Sequence, residues 1–196
     1  MRKLKVFNLV TLDGYFAGED GDISWHRVDE EFQELANVAA NSGNTLLFGR
    51  VTYLLMASYW PSPEALRDDP LIAAGMNRAE KLVFSRSLDR VEWHNARLVK
   101  GELLDEVRRL KAGSGPDLTL LGSGTIIAQL AAAGLIDEYQ LLLNPVALGR
   151  GRTLFEGIAK KLEFKLTGTR RFGNGNLLLT YEPLRSGGEV WRAEGE

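Results

Sequence analysis

Short apolar runs alternate along this chain with stretches whose apolar residues recur at helical spacing. Lys3 to Val10 (KLKVFNLV) predicts a first strand, and the glycine-rich LDGYFAGEDGD after it predicts a loop. Asp29 is placed to cap a helix through EEFQELANVAANS, with Phe32, Leu35, Val38 and Ala39 at helical spacing and Gly43 as its stop. NTLLFG predicts a strand that runs without a loop into a helix opened by Arg50. After the turn WPSP and a mixed stretch ending near Glu80, KLVFS and ARLVK predict two short strands. Leu103 to Lys111 predicts a helix with Leu103, Leu104, Val107 and Leu110 on one face. Then DLTLL, GSG and TIIAQLAAAG repeat the order strand, turn, helix. EYQLLLNPVAL predicts a buried strand, and KLEFKLTGTRRF with NLLLTYEPL a terminal pair.

Short apolar strands alternating with helices predict an α/β fold with a mostly parallel central sheet and helices on its faces. The terminal pair has no crossover helix between its members, so it is expected to be antiparallel. Nothing between Lys3 and Leu184 reads as a linker or an internal repeat. Residues 1–184 are therefore expected to form one domain, with the polar, glycine-rich 185–196 as a flexible tail.

Composition narrows the chemistry. The 196 residues suffice for one sizeable core, and 44% hydrophobic with 26% charged residues is ordinary for a globular domain. A net charge of -2 argues against a nucleic-acid surface, and no apolar run is long enough for a membrane span. Without cysteine, disulfides, thiolate metal sites and cysteine nucleophiles are excluded, and only His26 and His94 offer imidazoles. No metal site is expected, and a cytoplasmic location is the plain expectation.

Two strand-to-helix corners carry candidate chemistry, FGRVT at 48–52 and LGSGT at 121–125. A helix start presents unpaired N–H groups and partial positive charge, and Arg50 adds a fixed cation there. Gly122 and Gly124 would let backbone approach a pyrophosphate, with the Ser123 and Thr125 hydroxyls as further donors. A packing turn explains LGSGT equally well. It is neither the Rossmann fingerprint, since Ile127 holds the place of its third glycine, nor a Walker loop. At the end of another short strand, Ser85, Arg86 and Ser87 could hold an extra phosphate. Three such strand ends on one edge of a parallel sheet suggest a dinucleotide with an additional phosphate.

Together TLDGYFA, FGRVTY, VFSRSL, LLGSGT and NPVALGRGRTLF resemble the dihydrofolate reductase-like superfamily. The closer likeness is to the C-terminal reductase domain of the bifunctional riboflavin-biosynthesis deaminase–reductase, and it covers Lys3 to Leu184. The zinc motif of the deaminase half is absent. The resemblance implies a three-layer dihydrofolate reductase-like fold, NADPH as cofactor and hydride transfer to a C=N or C=O bond of a pyrimidine- or pterin-like ring. It also implies a homodimer. The implied activity is 5-amino-6-(5-phosphoribosylamino)uracil reduction in riboflavin biosynthesis. A dihydrofolate reductase-type activity and a non-catalytic NADP-binding module are the alternatives.

Residue by residue, the resemblance puts the cofactor's phosphates on Gly49, Arg50 and Thr52 and on Gly122, Ser123, Gly124 and Thr125. Ser85, Arg86 and Ser87 would lie beside the 2′-phosphate. The loop from Leu12 to Trp25, turned at Asp13 and Gly14, would close over nicotinamide and substrate. In dihydrofolate reductases an acid follows a tryptophan by a few residues, so Trp25 points to one of Asp29, Glu30 and Glu31. These residues would equally serve as cap and dipole partners of the helix. Arg150 and Arg152 are candidates for a substrate ribosyl-phosphate, or are two solvated cations.

Overall fold

The computed structural model describes residues 1–184, so the tail expected at 185–196 lies outside the described residues. Its frame is an eight-stranded sheet in the order β5-β4-β3-β6-β1-β7-β10-β9. These strands are β1 Leu4–Thr11, β3 Thr45–Gly49, β4 Lys81–Phe84, β5 Ala96–Val99, β6 Leu118–Leu121, β7 Glu138–Asn144, β9 Phe164–Arg171 and β10 Leu177–Pro183. Pairing is parallel from β5 through β7 and antiparallel from β7 to β10 to β9, as the missing crossover helix predicts. A bulge at Thr180/Tyr181 interrupts the last pair.

Strand β3 shows why the sheet needs helices on both sides. All its residues are buried, with Leu46 and Phe48 in one apolar cluster and Leu47 in another. On the Leu47 side, α5 (Leu103–Ala112) and α6 (Gly124–Ala132) bring Val107, Ile126, Ile127 and Leu130 onto Leu4, Val6, Leu82 and Leu120. On the other, Tyr53 and Met56 of α2 (Arg50–Tyr59) and Ile72 and Met76 of α4 (Pro70–Arg78) cover Leu46, Phe48 and Val83. Helix α1 (Glu30–Ala40) covers the same side through Phe32, Leu35, Ala36 and Ala40. Val38, expected on that buried face, is 71% exposed. The inward stripe of α1 runs instead through Ala36 and Ala40, small enough for α4 to come close.

Between α2 and α4 lies α3 (Pro63–Asp68), started by Pro63 behind the Ser62 cap. Two strands were not expected. Tyr15–Ala17 (β2), inside the predicted loop, and Arg152–Thr153 (β8) pair as a separate two-stranded sheet. Both are too short and irregular for a periodic signal, and long-range pairing alone makes them strands. Strand β7 also ends at Asn144, earlier than the apolar run through Leu148 suggests.

Candidate active site

In the sheet order, β4, β3 and β6 are neighbours and parallel, so their carboxyl ends share one edge. From β3 the chain moves toward β4, and from β6 it crosses β1 to β7. The helices that follow therefore lie on opposite faces and leave a crevice at the strand ends, the usual place for a ligand in open α/β sheets. A cavity of about 500 Å³ sits there, lined by Arg50 and Thr52 of one corner and Ser123, Gly124 and Thr125 of the other, with Gly49 between.

The two corners are bolted together. The Gly49 N–H donates to Ser123 Oγ at 2.9 Å, and Thr52 Oγ1 lies 3.0 Å from the same oxygen. The contact is close because Gly49 lacks a side chain: a Cβ there would sit 2.5 Å from Ser123 Oγ. A Cβ on Gly122 would meet Thr52 Oγ1 at 2.7 Å, and one on Gly124 would meet the Phe16 ring at 2.7 Å. These glycines thus serve the packing of the corner, as the alternative reading of LGSGT allows. The donors these two corners leave at the cavity are the Thr125 hydroxyl, the Arg50 guanidinium and the first amides of α2 and α6.

The outer wall is a flap made by β2 and β8. Asp13 pins it: its carboxylate accepts from the Thr11 hydroxyl at 2.5 Å and from the Leu148 and Gly149 amides at 2.9 and 2.7 Å. The Thr11 hydroxyl and those amides hold the Asp13 carboxyl below the usual carboxylate range. Beyond the pinned loop Gly151 runs against Tyr15 and Ala17, where a side chain would collide. Phe16, Arg152 and Thr153 then reach the cavity.

The remaining candidates are dispersed. Ser85, Arg86 and Ser87 follow β4 outside the cavity lining, and Arg86 pairs with Glu102 at 2.7 Å. Asp29 caps α1 by accepting from the Phe32 amide at 2.9 Å. Glu31 accepts from the Gly173 amide at 2.5 Å, tying α1 to the turn before β10. Glu30 is exposed and makes no hydrogen bond or ion pair among the described residues. Trp25 donates Nε1 to the Asp22 carbonyl and lies edge-on to His26, 4.5 Å between ring centres. Burial pushes the His26 imidazole down to about 4, and the Asp22 charge opposes this. Arg150 faces Glu19 at 3.4 Å, so the structure separates it from Arg152.

Sequence reasoning missed Gln129 and Glu156 in the cavity wall and Glu102 beside Arg86. These three lie in ordinary surface contexts and carried no signal. Phe16 also lines the cavity, and the aromatic pair Tyr15 and Phe16 after TLDG is in the sequence a candidate lining of a planar-ring pocket. Among the described residues no acidic or histidine cluster suits a metal ion, and no helix is long and apolar enough to cross a membrane.

Comparison with known proteins agrees with this architecture. The Bacillus subtilis protein YyaP is 30% identical over 174 residues, 88% of this chain and 90% of its own. A protein from Shewanella sp. PV-4 assigned to riboflavin biosynthesis superposes with a TM-score of 0.70 at 25% identity, covering 93% of this chain and 99% of that one. Enterococcus faecalis dihydrofolate reductase, solved with NADP(H), superposes with a TM-score of 0.63 at 16% identity, covering 92% and 96%. That likeness gives the fold its name, a dihydrofolate reductase-like α/β sandwich. The RibD C-terminal domain model matches residues 2–178. This chain belongs to the RibD C-terminal domain family, a family of reductases.

Proposed function

We propose that this protein is an NADPH-dependent reductase of a planar pyrimidine- or pterin-like ring, of the 5-amino-6-(5-phosphoribosylamino)uracil reductase type. The observation that carries the reading is the cavity at the strand ends, where two helix starts, Arg50 and the Thr125 hydroxyl face one space. Such a donor set suits a pyrophosphate. Arg50, Thr52 and Thr125 would hold the cofactor's phosphates, and Ser85, Arg86 and Ser87 the 2′-phosphate. Bound NADPH supplies the hydride.

The chain's own part is to bind, to orient and to exclude water. The flap pinned by Asp13 covers the outer side of the cavity. For the proton the reading keeps one of Asp29, Glu30 and Glu31, of which Asp29 and Glu31 also hold α1 and Glu30 is exposed. The reading includes a homodimer, which light scattering checks.

The test is titration of the purified chain with NADPH and NADH by fluorescence, followed by turnover with the phosphoribosylaminouracil and with dihydrofolate. Tight NADPH binding with turnover of the first substrate is expected. Failure to bind NADPH overturns the reading, and turnover of dihydrofolate alone moves it to a folate reductase.

A further inference from the structure

The geometry points to Arg152 as a ligand of the cofactor's pyrophosphate, delivered by the flap and positioned by Asp13. This inference rests on the cofactor reading of the cavity and goes beyond it, because GRGR spacing alone groups Arg152 with Arg150 on the substrate side. The structure splits that pair. Arg150 stands at Glu19, whereas Arg152 lines the same cavity as Arg50, Thr52 and Thr125. The Arg152 side chain makes no ion pair or hydrogen bond among the described residues, so its guanidinium is available to an anion. Glu156 is the one acidic group among the described residues of the lining, so Arg50 and Arg152 leave that wall with a cationic excess.

How Arg152 gets there follows from the flap. Asp13 takes the Leu148 and Gly149 amides, Gly149 turns at φ +76°, and Gly151 passes tightly over Tyr15. Arg152 then pairs with Ala17 and Thr153 with Tyr15. The Phe16 ring and the Thr153 carbonyl fill the space beside Gly124, where a Cβ would meet them at 2.7 and 3.0 Å. The flap is therefore seated on the start of α6, and its one arginine in the lining faces the two helix starts.

A pyrophosphate ligand and a 2′-phosphate ligand differ in what they discriminate. Loss of Arg152 should weaken NADPH, NADH and ADP-ribose alike, since all three carry the pyrophosphate. Dissociation constants of the three, measured by calorimetry for the unmutated chain, Arg152→Ala and Arg152→Gln, test this. Each should rise by about ten- to hundredfold in both variants, the range for one charge-assisted hydrogen bond. Constants that stay within about twofold overturn the assignment, as does a loss confined to NADPH. If the unmutated chain binds none of the three, the cofactor reading itself falls.

Asp13 is tested by a cycle. Asp13→Asn, or Asp13→Glu should the first fold poorly, is expected to weaken ADP-ribose in the unmutated background and to add little on top of Arg152→Ala. Equal losses in both backgrounds would show Asp13 to be structural only and overturn its positioning role.

Discussion

Gly49 and Ser123, 74 residues apart in sequence, are joined by one hydrogen bond that sets the width of the crevice. Ser123 holds a left-handed backbone, φ 64°, which costs a non-glycine residue about 1–2 kcal/mol. Its hydroxyl offsets that cost by accepting the Gly49 amide and meeting Thr52. Ser123→Ala keeps the strain and orphans a partly buried N–H, an expected loss of about 1–3 kcal/mol. Ser123→Gly removes the strain as well as the bond and should lose less. Urea unfolding of both variants checks the order: alanine at least as stable as glycine would show that the left-handed backbone stores no strain, and alanine as stable as serine that the hydroxyl does not carry this turn.

Cofactor preference should depend on Arg86 and Glu102. Their ion pair is exposed on both sides, 76% and 74%, and such pairs are worth about 0–1 kcal/mol, so a phosphate can displace the carboxylate. Arg86→Ala should weaken NADPH roughly ten- to hundredfold and NADH much less. Glu102→Gln should tighten NADPH by up to about fivefold. Fluorescence titration reads both, and equal affinity of the unmutated chain for the two cofactors would remove this role.

Stability has a concentrated point at Lys111 and Asp137. Their ion pair is nearly buried, at 9% and 19% exposure, and Asp137 also accepts the Leu4 amide that starts β1. The Lys111 ammonium donates to the Leu135 carbonyl as well. Removing one partner of a buried pair costs about 3–5 kcal/mol, because the other charge stays behind. Asp137→Ala should lose that much in denaturant unfolding. The double replacement Lys111→Met with Asp137→Leu should recover most of it.

His26 should make stability depend on pH. Its folded value is depressed to about 4 from an ordinary 6.5, so between these values the unfolded chain binds a proton that the folded chain refuses. Stability contributed by the neutral imidazole is complete above pH 6.5, declines as pH falls from there, and levels off below about 4. His26→Phe should flatten that decline in unfolding curves taken between pH 7 and 4.5. A slope unchanged by the substitution would place its cause in the carboxylates.

Much of the fold was legible in the chain because burial on both faces leaves a mark on sequence. TLLFG and KLVF have no polar alternation since helices cover both sides, and the absent crossover helix announced antiparallel β10 and β9. The corners at Gly49–Arg50 and Gly122–Thr125 were legible too, because glycine marks a place where another segment comes too close for a side chain or, at Gly122, where φ is positive. The sequence could not say which groups meet across the crevice. That Gly124 accommodates Phe16, that Arg152 leaves Arg150 to join Arg50, and that Glu31 is tied to the Gly173 amide are pairings over long separations. Periodicity reports only the face on which a residue is buried. The partner on that face is chosen by the order of the strands and by a two-stranded flap too short to have a period of its own.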